Sequence, residues 1–226
     1  MQIIAHRGAS GTEPENTIRS FQKAESMGAD MLELDVRKSA DGELVVVHDH
    51  DMLRLFGDPR LIRDTVLSEI KRVSAEHGRE IPTLDEVLAV IHTDLNIEIK
   101  VHGIEEQVFA KLKSFPHKVL ISSFYPGVLK KFRTLDGNVQ LGLIFAKGEW
   151  SLRTIISFLT RKDKLYSVNP QSTYVSYATM LILRLLAKKV LVWTVNDRHE
   201  YERMRKLGVD GIFTDYPELM KQFEKL

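Results

Sequence analysis

The chain of 226 residues contains no cysteine. This absence excludes disulfides, zinc sites built from thiolates and cysteine nucleophiles, so any bound metal ion must be held by oxygen or imidazole ligands. Charge of one sign is not in surplus either, because 32 lysines and arginines balance 31 aspartates and glutamates to a formal net charge of +1. This balance argues against nucleic acid or an anionic membrane as a partner, and we expect a small-molecule partner instead.

Long apolar runs are missing as well. Residues 1–6 lack the charged stretch and the following apolar run of about 7–15 residues that mark a secretory signal. The most apolar stretch, residues 179–186, is interrupted by Arg184 and is far too short for a membrane span. We therefore expect a cytoplasmic protein without a membrane span. A hydrophobic content of 43% is enough for one large core, so we expect a single domain over residues 1–226.

What the chain does contain is a regular alternation of strand-like and helix-like segments. The predicted strands cover residues 2–6, 32–37, 44–48, 95–100, 119–124, 139–145, 165–169, 190–195 and 211–214. Helices are predicted from an Asn16 N-cap to Gly28, from near Thr83, over 104–114, 127–134, 152–160, 176–188 and 198–207, and after Pro217.

These nine strands are one more than an eight-stranded barrel needs. The connection over residues 38–43 is far too short for a crossover, so strand 44–48 must run antiparallel to the strand before it. The other eight strands are parallel and alternate with helices, which predicts an α/β fold of the (β/α)8 TIM-barrel class with an antiparallel hairpin strand. Residues 50–79 would form a small insertion after the hairpin, with helical character around residues 67–74.

Residues 31–49 carry the strongest chemical signal. Apolar and polar residues alternate through 32–37, as in a strand with one apolar and one polar face. Asp41-Gly42 is a strong hairpin-turn signal, and a two-residue turn would place Asp35 opposite His48. Glu33, Asp35 and His48 would then share one face. A three-residue loop would instead put His48 among the valines, and the alternative to a site is a solvent-exposed hairpin with ordinary surface charge.

In a barrel of this class, function resides at the carboxyl ends of the strands. Ionisable residues collect at the predicted ends of the first three parallel strands, as His6 and Arg7, Glu33 and Asp35, and Glu98 and Lys100. Glu98 and Lys100 alternate with isoleucines, so both should point into the barrel mouth. A buried carboxylate and ammonium without a function would be costly, although an ion pair that stabilises the barrel rim is the alternative.

Glu33, Asp35 and Glu98 together make an oxygen-rich pocket that suits Mg²⁺ or Ca²⁺, with Mn²⁺ as a third choice. Arg7 and Lys100 would add two positive groups close to the cation. A divalent cation beside an arginine and a lysine is typical of a site that binds phosphate oxygens.

Two histidines, His6 and His48, reach the same mouth and are candidates for acid and base near neutral pH. A single histidine is more often structural, but the convergence of these two with the carboxylates favours catalysis. The other six of the eight histidines show no such convergence, although His50 lies close to His48 in the chain.

At this point the sequence resembles the glycerophosphodiester phosphodiesterase family over nearly its whole length. The resemblance is carried, in order, by His6-Arg7-Gly8, Pro14-Glu15-Asn16-Thr17, Glu33-Leu-Asp35, Asp41-Gly42, His48-Asp49, Ile81-Pro82-Thr83-Leu84, Glu98-Ile-Lys100, Ser123-Phe124, Trp193-Thr194-Val195-Asn196 and Gly211-Ile-Phe-Thr214-Asp215.

The resemblance implies a barrel fold, His6 and His48 as general acid and base, phosphate contact by Arg7 and Lys100, and metal ligation by the three carboxylates. It implies metal-dependent cleavage of a small-molecule glycerophosphodiester to sn-glycerol 3-phosphate and an alcohol, through attack by the neighbouring glycerol hydroxyl and a cyclic phosphate that water opens. Which histidine acts first, the preferred alcohol and the oligomeric state stay open.

Two aromatic residues complete the predicted site. Phe124 and Trp193, at the ends of two strands, could form an apolar wall for the glycerol carbons, or they could be core aromatics. The alternatives for the whole site are a related barrel phosphodiesterase acting on lysophospholipid or phosphoinositide head groups, and a barrel that binds phosphate or metal without catalysis. We expect the last of these to lack one of the two histidines, and this chain has both.

Overall fold

The computed structural model describes residues 1–146, 165–186 and 189–224. Its strands are β1 (Gln2–Ala5), β2 (Met31–Lys38), β3 (Leu44–Val46), β4 (Asp51–Met52), β5 (Asp58–Leu61), β6 (Leu95–Ile99), β7 (Val119–Ser123), β8 (Gln140–Phe145), β9 (Ser167–Pro170), β10 (Lys189–Val192) and β11 (Gly211–Thr214). The bounds of the nine predicted strands differ from these by at most three residues.

Eight of the strands close into a parallel barrel, which confirms the predicted fold class. The order around the barrel is β1, β11, β10, β9, β8, β7, β6 and β2, and β2 pairs again with β1. β3 is added to β2 in the antiparallel sense, as the short connection requires.

Helices cover the outside of the barrel. They are α1 (Ile18–Ser26), α2 (Leu53–Phe56), α3 (Leu67–Glu76), α4 (Leu84–Val90), α5 (Glu105–Leu112), α6 (Pro126–Leu135), α7 (Tyr177–Leu186), α8 (Arg198–Leu207) and α9 (Pro217–Glu224). The helix predicted over 152–160 lies outside the described residues. Side chains such as Phe21, Phe132 and Val108 are fully buried between helices and strands, and burying a side chain of this size contributes roughly 1.5–3 kcal/mol.

The first helix begins one residue later than the sequence predicts. Thr17, not Asn16, is its N-cap, and the Thr17 hydroxyl accepts a hydrogen bond of 3.2 Å from the N–H of Ser20. Asn16 instead has a positive φ of 57° and donates its side-chain amide to Asp35 at 2.8 Å. The helix predicted to start near Thr83 begins at Leu84, and Thr83 is its N-cap in a reciprocal capping box with Glu86.

The hairpin register was predicted incorrectly by one residue. β2 and β3 pair Val36 with Val46, so Asp35 does not face His48 across the ladder. The reason lies in the loop, which spans residues 39–43 and is closed by a hydrogen bond of 2.9 Å from the Ser39 N–H to the Glu43 carbonyl. Because β3 ends at Val46, His48 follows the strand instead of alternating within it.

The shifted register also divides the apolar residues of the hairpin between two cores. Leu44 and Val46 pack with the main core between barrel and helices, whereas Val45 and Val47 pack against the segment that follows β3. This segment corresponds to the predicted insertion and contains β4, α2, β5 and α3. Val45 and Val47 therefore do not share the apolar face of β2.

Candidate active site

The inner cavity, of about 120 Å³, lies where the barrel strands end. It is lined by His6, Arg7, Glu33, His48, Asn96, Glu98, Lys100, Phe124, Ile144, Asn169, Trp193 and Phe213. The lining includes all the residues predicted for the site except Asp35, which is buried beside Glu33 and Glu98. The structure thus brings predicted residues on or next to six separate strands to one space.

Three buried carboxylates lie together at the bottom of this cavity. Glu33, Asp35 and Glu98 are at most 9% exposed, and each offers an oxygen that lies within 4.8 Å of the other two. The parallel register of β2 and β6 brings them together, because it aligns Asp35 with Glu98 and Glu33 with Asn96. Alternation along each strand turns these side chains into the barrel.

The charges of the three carboxylates are only partly neutralised by protein groups. Burial raises the pKa of Glu33 well above its ordinary value, and the neighbouring charges of Asp35 and Glu98 raise it further. Burial also opposes the charge of Asp35, but Lys100 and then Arg7 outweigh it and lower the pKa of Asp35. A cluster in which one acid is forced towards neutrality could hold a divalent cation, which would favour the charged form of all three.

An orphaned atom supports this fit. Oδ1 of Asp35 is buried without a hydrogen-bond partner among the described residues, and the Lys100 ammonium lies 3.2 Å from it. Lys100 also contacts Glu98 at 2.5 Å. Carboxylate oxygens of this number and burial suit the hard cations Mg²⁺ and Ca²⁺, although the donor set does not select between them.

The turn after β1 positions Arg7. Its N–H donates to Glu33 at 2.8 Å, and its side chain lies 3.3 Å from Asp35 and donates to Glu15 at 3.0 Å. Arg7 and Gly8 both have positive φ, of 56° and 82°. A Cβ on Gly8 would stand 2.4 Å from the Ser20 hydroxyl, so only glycine lets the turn pack against the first helix.

Each candidate histidine is held by a carboxylate at Nδ1. His6 Nδ1 lies 2.7 Å from Asp215, and His48 Nδ1 lies 2.7 Å from Asp49. The carboxylates accept from Nδ1–H, which leaves Nε2 of each ring as the nitrogen available to a bound molecule. Burial lowers the pKa of His48 in the free protein, and the positive charges of Lys100 and Arg7 lower it further against the opposing effect of Asp35.

The supporting carboxylates are themselves fixed. Asp215 accepts hydrogen bonds from Ser10 at 2.9 Å and from Asn196 at 2.6 Å, in addition to His6. Burial opposes the charge of Asp215, but the bonds from His6, Ser10 and Asn196 outweigh it and lower its pKa. The His6 ring is therefore held in one orientation by an ionised partner.

Asp49 is tied to the segment after the hairpin through Arg54, which lies in α2. The Arg54 guanidinium donates to Asp49 at 2.5 Å and to the two Glu15 oxygens at 2.6 and 3.0 Å. Glu15 in turn accepts from Arg7. A continuous network of ionic hydrogen bonds thus runs from Arg7 to His48 and ties both to the insertion.

An aromatic pair lines the same cavity as Glu33 and Glu98. The Phe124 and Trp193 rings meet edge to face with centroids 5.8 Å apart, and the Lys100 ammonium lies 5.9 Å from the Phe124 centroid. The Trp193 indole N–H donates to the backbone carbonyl of Asn169 at 2.8 Å. Both rings line the inner cavity, and their role as an apolar wall for the glycerol carbons stays a prediction.

Two buried amide side chains that line the same cavity are only half satisfied. Oδ1 of Asn96 and Nδ2 of Asn169 have no hydrogen-bond partner within the part of the chain that the structure describes. Gly142 makes room for the Asn169 side chain, since a Cβ there would meet its Nδ2 at 3.1 Å. One acceptor and one donor are thus free for the hydroxyl groups of a ligand.

A second space, the outer groove, adjoins the inner cavity. It measures about 590 Å³ and shares His48, Glu98, Lys100 and Phe124 with the inner cavity. Its further lining comes from Arg37, His102 and Tyr125 with the two residues that start α6. His48 lines both spaces, whereas His6 lines only the inner cavity.

Several of these residues were not assigned a role from the sequence. Asp49 and Asp215 stand within recognisable motifs, but the contact between Asp215 and His6 joins positions 209 residues apart. Arg54 and Asn169 have no pattern that marks them. His50, which follows His48 closely, is exposed and contacts Asp51 instead of the cavity.

A family profile and curated relatives of this chain point to the same family. The profile of the glycerophosphoryl diester phosphodiesterase family matches residues 6–219. A glycerophosphodiester phosphodiesterase of Caldanaerobacter subterraneus subsp. tengcongensis is 35% identical, covering 96% of this chain and 95% of its own length.

Solved structures agree in fold. A glycerophosphodiester phosphodiesterase of Thermotoga maritima has a TM-score of 0.85 at 32% identity, covering 98% of this chain and 97% of that one. A phosphodiesterase of Oleispira antarctica, solved in complex with the product sn-glycerol-3-phosphate, has a TM-score of 0.86 at 28% identity, covering 100% and 97%. Within the described ranges, no helix has the length and apolar character to cross a membrane.

Proposed function

The chain belongs to the glycerophosphoryl diester phosphodiesterase family, and on that premise we propose that it hydrolyses glycerophosphodiesters to sn-glycerol 3-phosphate and an alcohol. One observation carries the proposal. Two histidines, each held at Nδ1 by a carboxylate, line a cavity that also holds three buried carboxylates, an arginine and a lysine. This combination offers two proton-transfer groups around a place for a phosphate.

The substrate binds across the two spaces. Its phosphate lies near Arg7 and Lys100, whose positive charges attract the phosphate oxygens. The glycerol part enters the inner cavity, where Phe124 and Trp193 cover its carbons. The unpartnered donor of Asn169 is available to a glycerol hydroxyl. The alcohol extends into the outer groove, because this is the space that continues from the inner cavity past His48.

Glu33, Asp35 and Glu98 would hold one divalent cation, Mg²⁺ or Ca²⁺ with Mn²⁺ as a third choice. When bound, such an ion supplies positive charge that stabilises the phosphate oxygens as negative charge builds on them. The side chains of Lys100 and Arg7 also supply positive charge to the phosphate oxygens. Their contacts with Asp35 hold these two side chains in the site.

The two histidines divide the proton transfers. His6, which lines only the inner cavity, takes the proton of the neighbouring glycerol hydroxyl, whose oxygen attacks phosphorus and forms a cyclic phosphate. His48, which borders the outer groove, gives its proton to the departing alkoxide as the bond to phosphorus breaks. Neutral His48 then takes a proton from water, which opens the ring, and His6 returns its proton to the glycerol oxygen.

The electrostatics of His48 agree with this order. Burial and the charges of Lys100 and Arg7 lower the pKa of His48 in the free protein. A bound phosphodiester is an anion, so it offsets those two positive charges and favours the protonated ring.

The test is release of sn-glycerol 3-phosphate from glycerophosphocholine, glycerophosphoethanolamine and glycerophosphoglycerol. Each is assayed with chelator and with Mg²⁺, Ca²⁺ or Mn²⁺ added back. We expect release that requires a divalent ion. No release from any diester under any condition would refute the proposal, and faster cleavage of acylated than of deacylated diesters would favour the lysophospholipid alternative.

The assignment of the two histidines has its own test. A glycerol phosphodiester with a nitrophenyl leaving group needs no acid, because nitrophenolate is a stable anion. In the first turnover, His48→Ala should therefore release nitrophenolate nearly as fast as wild type, while His6→Ala remains impaired. The reverse pattern would exchange the two roles.

A further inference from the structure

We propose that the outer groove binds the departing alcohol and that Arg37 makes it select alcohols that carry an anionic group. The inference rests on the proposed function and names the substrate class within it. It starts from the position of Arg37. Arg37 lies two residues beyond Asp35 on β2, so alternation along the strand puts both side chains on the same face of the sheet. Arg37 therefore extends the row of site residues outward, past the rim and into the outer groove.

The guanidinium of Arg37 is only partly used by the protein. Its Nε donates to the backbone carbonyl of His48 at 2.8 Å, which fixes the side chain beside the catalytic ring. No carboxylate in the described ranges forms an ion pair with Arg37. Arg7 and Arg54, by contrast, are each paired with Glu15. Two nitrogens of a half-buried arginine are thus left to bind a ligand in the groove.

The rest of the groove reinforces its positive character. Glu98 is the acidic residue of the lining, and the Lys100 ammonium already contacts it at 2.5 Å. The far wall is formed by the rings of His102 and Tyr125, whose centroids are 4.9 Å apart. An alcohol with a carboxylate or phosphate would meet the free nitrogens of Arg37, whereas a quaternary ammonium would meet an unpaired cation.

Serine and ethanolamine head groups provide a matched pair of probes, because they differ by one carboxylate. We expect wild type to cleave glycerophosphoserine with a kcat/KM at least about tenfold above that for glycerophosphoethanolamine, the scale of one charge-assisted hydrogen bond. In Arg37→Met, which keeps the aliphatic stem, the ratio should fall to about two or less. Arg37→Lys keeps the charge and should retain most of the preference.

Lys38→Met is the matched control. Lys38 is the next cation along β2, points to the opposite face and does not line the groove, so its loss should leave the ratio as in wild type. A general loss of rate in Arg37→Met, from disturbance of His48, would affect both substrates and cancel in the ratio.

The outcomes separate the two proposals. If glycerophosphoethanolamine releases glycerol 3-phosphate while the serine-to-ethanolamine ratio is near one in wild type, or is the same in Arg37→Met, the role of Arg37 is overturned and the proposed function stands. A preference for choline over serine overturns it in the same way. No release from any diester overturns both.

Discussion

From the three buried carboxylates we predict that a divalent cation stabilises the folded chain. A ligand that binds only the native state at about 100 times its dissociation constant adds about 2.7 kcal/mol to the free energy of unfolding. For a chain of this size, each kcal/mol corresponds to about 2–4 °C in melting temperature, so a shift of about 5–11 °C is expected. The measurement is differential scanning calorimetry with EDTA and then with Mg²⁺, Ca²⁺ or Mn²⁺.

Glu33→Gln locates the effect. The amide keeps the size of the side chain and an oxygen for the Arg7 N–H, but it removes one of three charges that repel each other in the absence of an ion. Without an ion, the variant should melt at or above the temperature of wild type, because burial disfavours the charged form of Glu33.

With an ion, the shift of Glu33→Gln should shrink to less than about 2 °C, which corresponds to under about 1 kcal/mol. Glu43→Gln removes a carboxylate of the hairpin loop, outside the triad, and should keep the full shift. The reasoning is refuted if none of the three ions moves the melting temperature of wild type, or if Glu33→Gln shifts as much as wild type does.

Other residues of the site lead to predictions of their own. His6→Ala and His48→Ala should each fold normally and lose turnover by at least about a hundredfold, and a near-wild-type rate in either would refute its role. Burial opposes the charge of Asp49, but hydrogen bonds from Arg54 and His48 outweigh it and lower its pKa. Asp49 therefore contributes stability above the ordinary carboxyl pKa that is lost as pH falls through the folded value, so in denaturant titrations the deficit of Asp49→Asn should be largest near neutrality and shrink below about pH 4. A deficit independent of pH would contradict this. Trp193→Ala should raise KM about fivefold, equivalent to about 1 kcal/mol of lost apolar contact, while weaker folding with an unchanged KM would make Trp193 a core aromatic.

Local sequence patterns were sufficient to predict the barrel architecture. The two-residue period marked the barrel strands, and a connection too short for a crossover identified the one antiparallel strand. The segments 198–207 and 211–214 were predicted to the residue. Since parallel strands of a barrel end at one rim, the positions of His6 and Glu98 at strand ends also predicted that they meet.

Errors arose where a local signal had competitors. Asn16 and Thr17 are both good caps, and the sequence does not reveal that the Asn16 amide is taken up by Asp35, 19 residues away. Asp41-Gly42 is a strong turn signal, but the Ser39 contacts widen the turn to a five-residue loop and shift the register by one.

What the sequence by itself determined is therefore the set of elements, their order and the rim at which the chemistry lies, because periodicity and crossover length are properties of neighbouring residues. Only the tertiary structure decided which side chains of the site contact one another. The pairing of Asp35 with Glu98 depends on the register of β2 and β6, and the contact of His6 with Asp215 depends on closure of the barrel between β1 and β11. Such contacts join residues far apart in the chain, and they form only when the whole barrel brings its first and last strands side by side.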